Sequence, residues 1–284
     1  MLNMLNGFGR LKPKSLYNIN EIIDNTIMIK DYNFNAEKVA NKLIKWCKDW
    51  FDQNGPNANA VIGMSGGKDS TIAAAILCKA LGSNRVIGVL LPSNGQGLND
   101  ADLICDYLNM GFYCIPIGSI CNEFESRLSS NIKLSNQTLQ NIPPRIRMTA
   151  LYGVAQSLNG RVVNTCNLSE DYIGYSTKFG DAAGDFSLFA NLTVTEILAI
   201  GDYLGLPKEW VHKTPDDGLP CSSPDEEKFG FTYAELDMYL RRNIEPIGHC
   251  HNNEDEPQKV VQIENMHKWN LHKLNPMPAF NPYI

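Results

Sequence analysis

Ala60-Val61-Ile62-Gly63-Met64-Ser65-Gly66-Gly67-Lys68-Asp69-Ser70-Thr71 is the stretch that decides the fold. Ala60 to Met64 is a short apolar run, the pattern of a buried parallel strand. A glycine-rich turn follows, and Thr71 to Leu81 reads as a helix ended by Gly82. Small residues at such a junction let the backbone approach an anion closely. Free amides at the helix N-terminus then donate to it, and the macrodipole adds favourable potential. Ser65 and Ser70 can add hydroxyl donors. The run is not a Walker A loop, which needs Gly where Ile62 stands and Ser or Thr where Asp69 stands. A carboxylate inside a phosphate cradle is costly unless a cation lies between them, so Asp69 reads as a Mg²⁺ ligand. A tight turn that merely caps a helix is the competing reading. Strand, turn, helix and both serines together speak against it.

Outward from this run, β-α-β units recur. Residues 35–53 read as an amphipathic helix, with Val39, Ala40, Leu43, Ile44, Cys47, Trp50 and Phe51 at three- and four-residue steps, stopped by Asn54-Gly55-Pro56. Arg85 to Leu91 is a second strand, Asp100 to Met110 a helix ended by Gly111, and Phe112 to Ile117 a third strand. Pro144 to Leu158 reads as a helix with Pro144 near its first turn, and Arg161 to Thr165 as a fourth strand. This alternation predicts an α/β fold: a doubly wound, mostly parallel sheet flanked by helices. Thr232-Tyr233-Ala234-Glu235 has capping-box spacing and opens a helix through about Arg242. Ser169 to Ala190 and Thr214 to Gly230 read as long loops, candidates for a lid. The second is expected to become ordered when substrates bind. Residues 248–262 read as polar and exposed.

Two further constellations carry chemistry. Pro143-Pro144-Arg145-Ile146-Arg147-Met148 places two arginines at a helix start, and guanidinium suits bidentate phosphate recognition. Solvated surface arginines are the alternative. Asn164-Thr165 ends a strand, Glu170 follows, and Thr177-Lys178-Phe179-Gly180-Asp181 leads to Asp185. Glu170 can complete the Mg²⁺ shell begun by Asp69, and Lys178 can neutralise a phosphate or carboxylate. Singly, each is more often a surface charge.

The glycine-rich run resembles the PP-loop, SGGxDS, of the ATP-pyrophosphatase superfamily, which cleaves ATP between its α and β phosphates. Together, the three runs resemble ammonia-dependent NAD synthetase, over roughly residues 35 to 280. The resemblance implies an adenine nucleotide alpha-hydrolase-like fold and a single domain over 1–284 without a glutaminase domain. It implies a ligase that amidates deamido-NAD to NAD through an adenylated intermediate, with ATP as co-substrate and Mg²⁺ as cofactor. Gly63, Met64, Ser65, Gly66, Gly67, Lys68, Asp69, Ser70 and Thr165 would bind ATP. Asp69 and Glu170 would hold the metal and act in catalysis with Lys178. Arg145, Lys178, Asp185, His272 and Lys273 would contact deamido-NAD. A homodimer is expected, because the family's dinucleotide site lies at a dimer interface.

This sequence also departs from the family's pattern. The Asp-His before the AAE triplet is Cys166-Asn167, and the triplet itself is Leu168-Ser169-Glu170. A family ATP-contacting lysine falls on Val194, and the threonine of the PTADL loop falls on Asp216. Lys208 or Lys213 could stand in for these contacts. About 34 residues precede the first helix, too few for a glutaminase, so ammonia, free or from an unlinked partner, is the expected nitrogen source. Rival readings are another PP-loop enzyme, such as a tRNA-modifying one, and a nucleotide sensor without turnover. The first would carry a basic extension or CxxC cysteines, and neither is present.

Composition fits this reading. The chain has 284 residues, 43% hydrophobic and 20% charged, with a net charge of −6. That acidity argues against a nucleic-acid partner. Eight cysteines without a CxxC pair suggest buried free thiols in a reducing compartment. With no signal-like start and no apolar run near the ~20 residues of a membrane span, a cytoplasmic protein is expected. His249-Cys250-His251 lacks a clear further ligand and reads as an exposed polar loop.

Overall fold

The structure is a computed structural model that describes residues 34–93, 98–213, 225–241 and 256–278. At its centre is β1 (Asn59–Gly63), paired in parallel with β2 (Val86–Leu90) on one side and β4 (Gly160–Asn164) on the other. β3 (Gly111–Cys114) extends the sheet beyond β2, and the short β5 (Phe186–Ser187) extends it beyond β4. The order β3-β2-β1-β4-β5 is all parallel. β1 buries Ala60, Val61 and Ile62 on alternating sides, as a strand covered on both faces must.

One face packs against α1 (Ala36–Asn54), α2 (Lys68–Leu81), α3 (Leu98–Tyr107) and α7 (Val194–Tyr203). Phe51, Ile62, Ile72, Phe186, Phe189 and Ile197 share that core. The other face packs against α4 (Gly118–Ser129) and α5 (Asn136–Ser157), through Val61, Val89, Ile117, Ile142 and Ala155. A third, smaller core joins α6 (Leu168–Ile173), α7, α9 (Asp225–Phe229), α10 (Tyr233–Arg241) and α11 (Glu256–Leu274). α8 (Lys208–Val211) seats Val211 against α2. From β1 the chain winds outward through β2 and β3, then returns to place β4 on the opposite flank. The carboxyl ends of β1 and β4 therefore meet at the switch point of the sheet, where open α/β folds form a crevice.

Several boundaries differ from the sequence reading. α2 begins at Lys68, three residues before Thr71, because the turn's own backbone supplies its first cap. Gly111 opens β3 instead of ending α3, and β3 stops at Cys114, short of Ile117. α5 begins at Asn136, where Ser135 accepts from the Thr138 amide, so Pro143 and Pro144 lie inside the helix. Each proline removes one donor from the backbone ladder, to the Leu139 and Gln140 carbonyls. The expected loop 169–190 contains α6 and β5. Of the second expected loop, residues 214–224 lie outside the described residues, and Asp225–Phe229 is helical. Glu256 onwards is helix α11, not exposed loop, and Val260 is buried. The capping box of Thr232 and Glu235 holds, with the Glu235 amide donating to Thr232 Oγ1 at 3.2 Å. Cys47, Cys105, Cys121 and Cys166 are free and buried, Cys78 is partly buried and Cys114 is exposed. Asp216, Cys221 and His249-Cys250-His251 fall outside the described residues.

Candidate active site

The turn between β1 and α2 is stitched by its two serines. Ser65 Oγ lies 3.1 Å from Ser70 Oγ and accepts from the Gly67 amide at 3.2 Å. Ser70 Oγ donates to the Gly67 carbonyl at 3.1 Å, and Thr71 Oγ1 does so at 2.8 Å. Gly66 has φ +76°, a left-handed geometry that glycine adopts without cost. The first amides of α2 have no intrahelical acceptor, as at any helix start, and so are suited to an anion.

Lys68 and Asp69 follow at once. Lys68 is 9% exposed, and its ammonium lies 2.8 Å from Asp69 Oδ2. The same nitrogen lies 5.9 Å from the Tyr233 ring centre. Asp69 Oδ1 is buried and has no hydrogen-bond partner. A buried carboxylate oxygen left so costs free energy unless a ligand completes it.

Glu170 approaches from β4. It stands at the third position of α6, where Asn167 caps the helix by accepting from the Glu170 amide at 3.0 Å. Burial is the first cause that raises its carboxyl to about 8, with the Asp69 charge adding to it and Lys68 opposing. Both the Asp69 carboxylate and the Lys68 ammonium are thus near enough for their charges to act on Glu170. Asn164, at the end of β4, organises the neighbourhood: Nδ2 donates to the Asp181 carbonyl at 2.8 Å, and Oδ1 accepts from the Cys166 amide at 3.1 Å. Thr165, half-buried, follows it.

The segment from Thr177 to Asp185 forms one wall. The Thr177 amide donates to Asp181 Oδ1 at 2.8 Å, and its hydroxyl to Asn141 Oδ1 at 2.8 Å. Phe179 sits at φ +60°, left-handed for a bulky residue, and lies 58% exposed. Arg145 Nε donates to the Lys178 carbonyl at 3.4 Å. The Lys178 ammonium donates to the His272 carbonyl and lies 5.4 Å from the Phe179 ring centre. Lys273 donates to the Gly174 carbonyl at 2.6 Å, while the His272 ring is exposed. Asp185 Oδ2 accepts from the Val162 amide at 2.7 Å, pinning β4.

The structure thus brings Glu170 under the charges of Asp69 and Lys68 in the turn, links Arg145 to Lys178 and Lys178 to His272, and ties Lys273 to Gly174 at the end of the Glu170 helix, while Thr165 only follows Asn164 and Asp185 is spent on β4. Other residues are committed elsewhere. Arg147 donates to the Leu91 carbonyl at 3.1 Å, tying α5 to the sheet. Val194 is buried in the third core. Lys213 pairs with Asp100 at 2.5 Å, and Lys208 is exposed. The residues the sequence reading did not find are Asn141 and the pair Ser169 and Asp237, whose side chains meet at 2.5 Å. Ser169 Oγ also receives the Val194 amide at 3.1 Å, which locks α6 to α7 and α10. No periodicity marks such polar bonds.

Among the described residues no group of three or more His, Cys, Asp or Glu side chains is placed to hold a metal ion. The pair Asp69 and Glu170 nevertheless fits a hard cation that also takes phosphate oxygens and water, because Asp69 Oδ1 is an orphaned acceptor.

A glycine-rich turn at the switch point of a parallel sheet, opening a helix beside two carboxylates, defines a nucleotide-using α/β enzyme of the PP-loop type. The sequence profile of the NAD synthase family matches residues 39–277. The NH(3)-dependent NAD(+) synthetase of Thermococcus sibiricus is 37% identical over 209 residues, 73% of this chain and 81% of that protein. The NMN synthetase of Francisella tularensis superposes with a TM-score of 0.76 at 31% identity, covering 88% of this chain and 100% of that one. The NH3-dependent NAD synthetase of Campylobacter jejuni gives 0.68 at 26% identity, with 88% and 100% covered. The chain belongs to the NAD synthase family.

Proposed function

We propose that this enzyme amidates deamido-NAD to NAD with ammonia, at the expense of ATP. The observation that carries the proposal is the buried, orphaned Oδ1 of Asp69 in the glycine-rich turn, with Glu170 close enough to feel the Asp69 charge. An oxygen of the nicotinate carboxylate attacks the α-phosphorus of ATP, and pyrophosphate leaves with the electron pair of the broken P–O bond. Ammonia then attacks the acyl carbon, AMP leaves, and the nitrogen sheds a proton to yield the amide.

Mg²⁺, held by Asp69 and Glu170, would supply Lewis acidity and charge neutralisation at the phosphates. The chain's own groups do the rest. The turn amides of Gly66, Lys68, Asp69 and Ser70, with Thr165, hold the ATP phosphates, and the loop from Gly63 and Met64 carries them. Lys68 and Lys178 offset repulsion between the attacking carboxylate and the polyphosphate. Arg145, Lys178, Asp185, His272 and Lys273 line the path for the dinucleotide. Lys273 has two N–H donors beyond the one on Gly174.

A homodimer fits the surface. Phe112 and Tyr113 on edge strand β3, and Ile120 and Phe124 on α4, are large apolar side chains 38–51% exposed along this edge of the sheet. Apolar side chains left open along an edge strand suit pairing with a second copy. Light scattering is expected to give twice the chain mass. No helix among the described residues is long and apolar enough to cross a membrane.

A second reading keeps the chemistry and shortens the substrate. The similarity to an NMN synthetase favours the acid counterpart of NMN, nicotinate mononucleotide, as acceptor. One assay separates the two. ATP and Mg²⁺ are supplied with either deamido-NAD or nicotinate mononucleotide, and with either ammonium or glutamine. NAD formed from deamido-NAD with ammonium alone is the expected result. Preference for the mononucleotide by kcat/KM establishes the second reading, and no pyrophosphate release with either acceptor overturns both.

A further inference from the structure

Glu170 rides on α6, a helix of only six residues. A helix that short does not persist on its own propensity, so other elements must hold it. Its C-terminal end is closed first by the chain itself: Gly174 is left-handed at φ +66°, and the amides of Gly174 and Tyr175 donate to Asp171 and Glu170 carbonyls at 3.0 and 2.9 Å. That leaves the next three carbonyls, of Tyr172, Ile173 and Gly174, without intrahelical partners.

All three are taken by one face of α11. His267 Nδ1 lies 2.8 Å from the Tyr172 carbonyl, Asn270 Nδ2 donates to Ile173 at 3.0 Å, and Lys273 donates to Gly174 at 2.6 Å. Positions 267, 270 and 273 repeat every three residues and so lie on the same side of a helix. The His267 ring also stacks on Tyr172, 3.9 Å between centres and 10° from parallel. Asn270 packs so closely under Gly174 that a Cβ there would stand 2.1 Å from Asn270 Cβ. Further along, the His272 carbonyl receives Lys178.

We infer that α11 sets the position of Glu170, with His267 and Asn270 acting as positioning residues that fix α6 through its terminal carbonyls. The inference rests on the metal reading of Glu170 given above. It assigns to the C-terminal helix, far from Asp69 in sequence, control over how closely the second carboxylate approaches the first.

The test uses the full chain and two variants. Asn270→Ala removes a donor, and His267→Phe keeps a ring on Tyr172 while deleting the N–H. Lys268→Ala, on an exposed residue of the same helix, is the control. Two quantities are read: Mn²⁺ affinity by paramagnetic resonance with a non-hydrolysable ATP analogue bound, and hydrogen exchange at the Gly174 and Tyr175 amides. The expected result is Mn²⁺ affinity weakened about tenfold, faster exchange at both amides, a lower kcat and an unchanged KM for ATP. The control should match the unaltered protein. Unchanged Mn²⁺ affinity in both variants overturns the inference, even if exchange quickens, since α11 would then only support the fold. If Asn270→Ala does not fold, His267→Phe decides alone. Glu170→Ala tells the two layers apart. If it leaves Mn²⁺ affinity intact, the metal reading fails and the inference falls with it; if it weakens Mn²⁺ affinity while both α11 variants do not, only the inference falls.

Discussion

Asp69 and Glu170 feel one another's charge, yet they are held in different ways. Asp69 belongs to a turn whose bonds close within six consecutive residues, Ser65 to Ser70, at the end of a central strand. Glu170 is gathered from distant parts: Asn167 caps its helix, Asp237 of α10 grips Ser169, and α11 reads three carbonyls at the far end. The first half of the site is a property of local sequence. The second exists only when the third core has formed. The carboxylate that depends on remote packing is the one open to adjustment from elsewhere in the molecule.

Replacing either carboxylate should have the largest effect. Asp69→Ala and Glu170→Ala should each lower turnover by at least about 10³-fold, the loss of several kcal/mol of charge stabilisation. The double variant should be little worse than either single one, as groups acting as a unit are not additive. Additive losses in a steady-state assay would separate the halves.

The next effect concerns acidity. Glu170 in the metal-free protein holds its proton up to about 8, against an ordinary 4.5. Between those values the folded chain keeps a proton that the unfolded chain has released. Stability without metal should therefore fall as pH rises from 4.5 to about 8, then level off. Glu170→Gln should remove this slope, and thermal unfolding in chelator across that range checks it.

Gly174→Ala should strike the assembled half only. It places a Cβ on a left-handed residue against Asn270, at a cost of about 1–2 kcal/mol for the backbone alone. Denaturant unfolding would show the loss. ATP affinity, set by the intact turn, should change less than turnover does. The smallest effect belongs to the local half. Ser65→Ala removes one acceptor inside the turn and should cost about 0.5–1.5 kcal/mol, with a modest rise in the KM for ATP.

The same division explains what could be read from sequence. β1, the turn and α2 were legible because strand, glycines and helix start are neighbours in the chain, and each has its own pattern. α1 was legible to within one residue, because its apolar stripe repeats over nineteen residues. α5 was placed too late because Pro143-Pro144 reads as a first turn, while the real start is the Ser135 cap. α6 was read as loop, since six residues are too few to show a period. His267 and Asn270 gave no sign at all. Their partners are backbone carbonyls, which look alike in every residue, so no pairing of side-chain types could betray them.

One exposed residue offers a native reporter on the edge of the sheet. Burial pushes up the thiols of Cys47, Cys78, Cys105, Cys121 and Cys166, which blunts their nucleophilicity near neutral pH. Cys114 stands uncovered at the end of β3, beside Phe112 and Tyr113. Cys78, partly buried, has its thiol pushed up to about 11, and among the described cysteines Cys114 is the exposed one. Its rate of labelling by a maleimide dye, followed as the protein is diluted, becomes a direct readout of whether that strand lies bare or against a second copy.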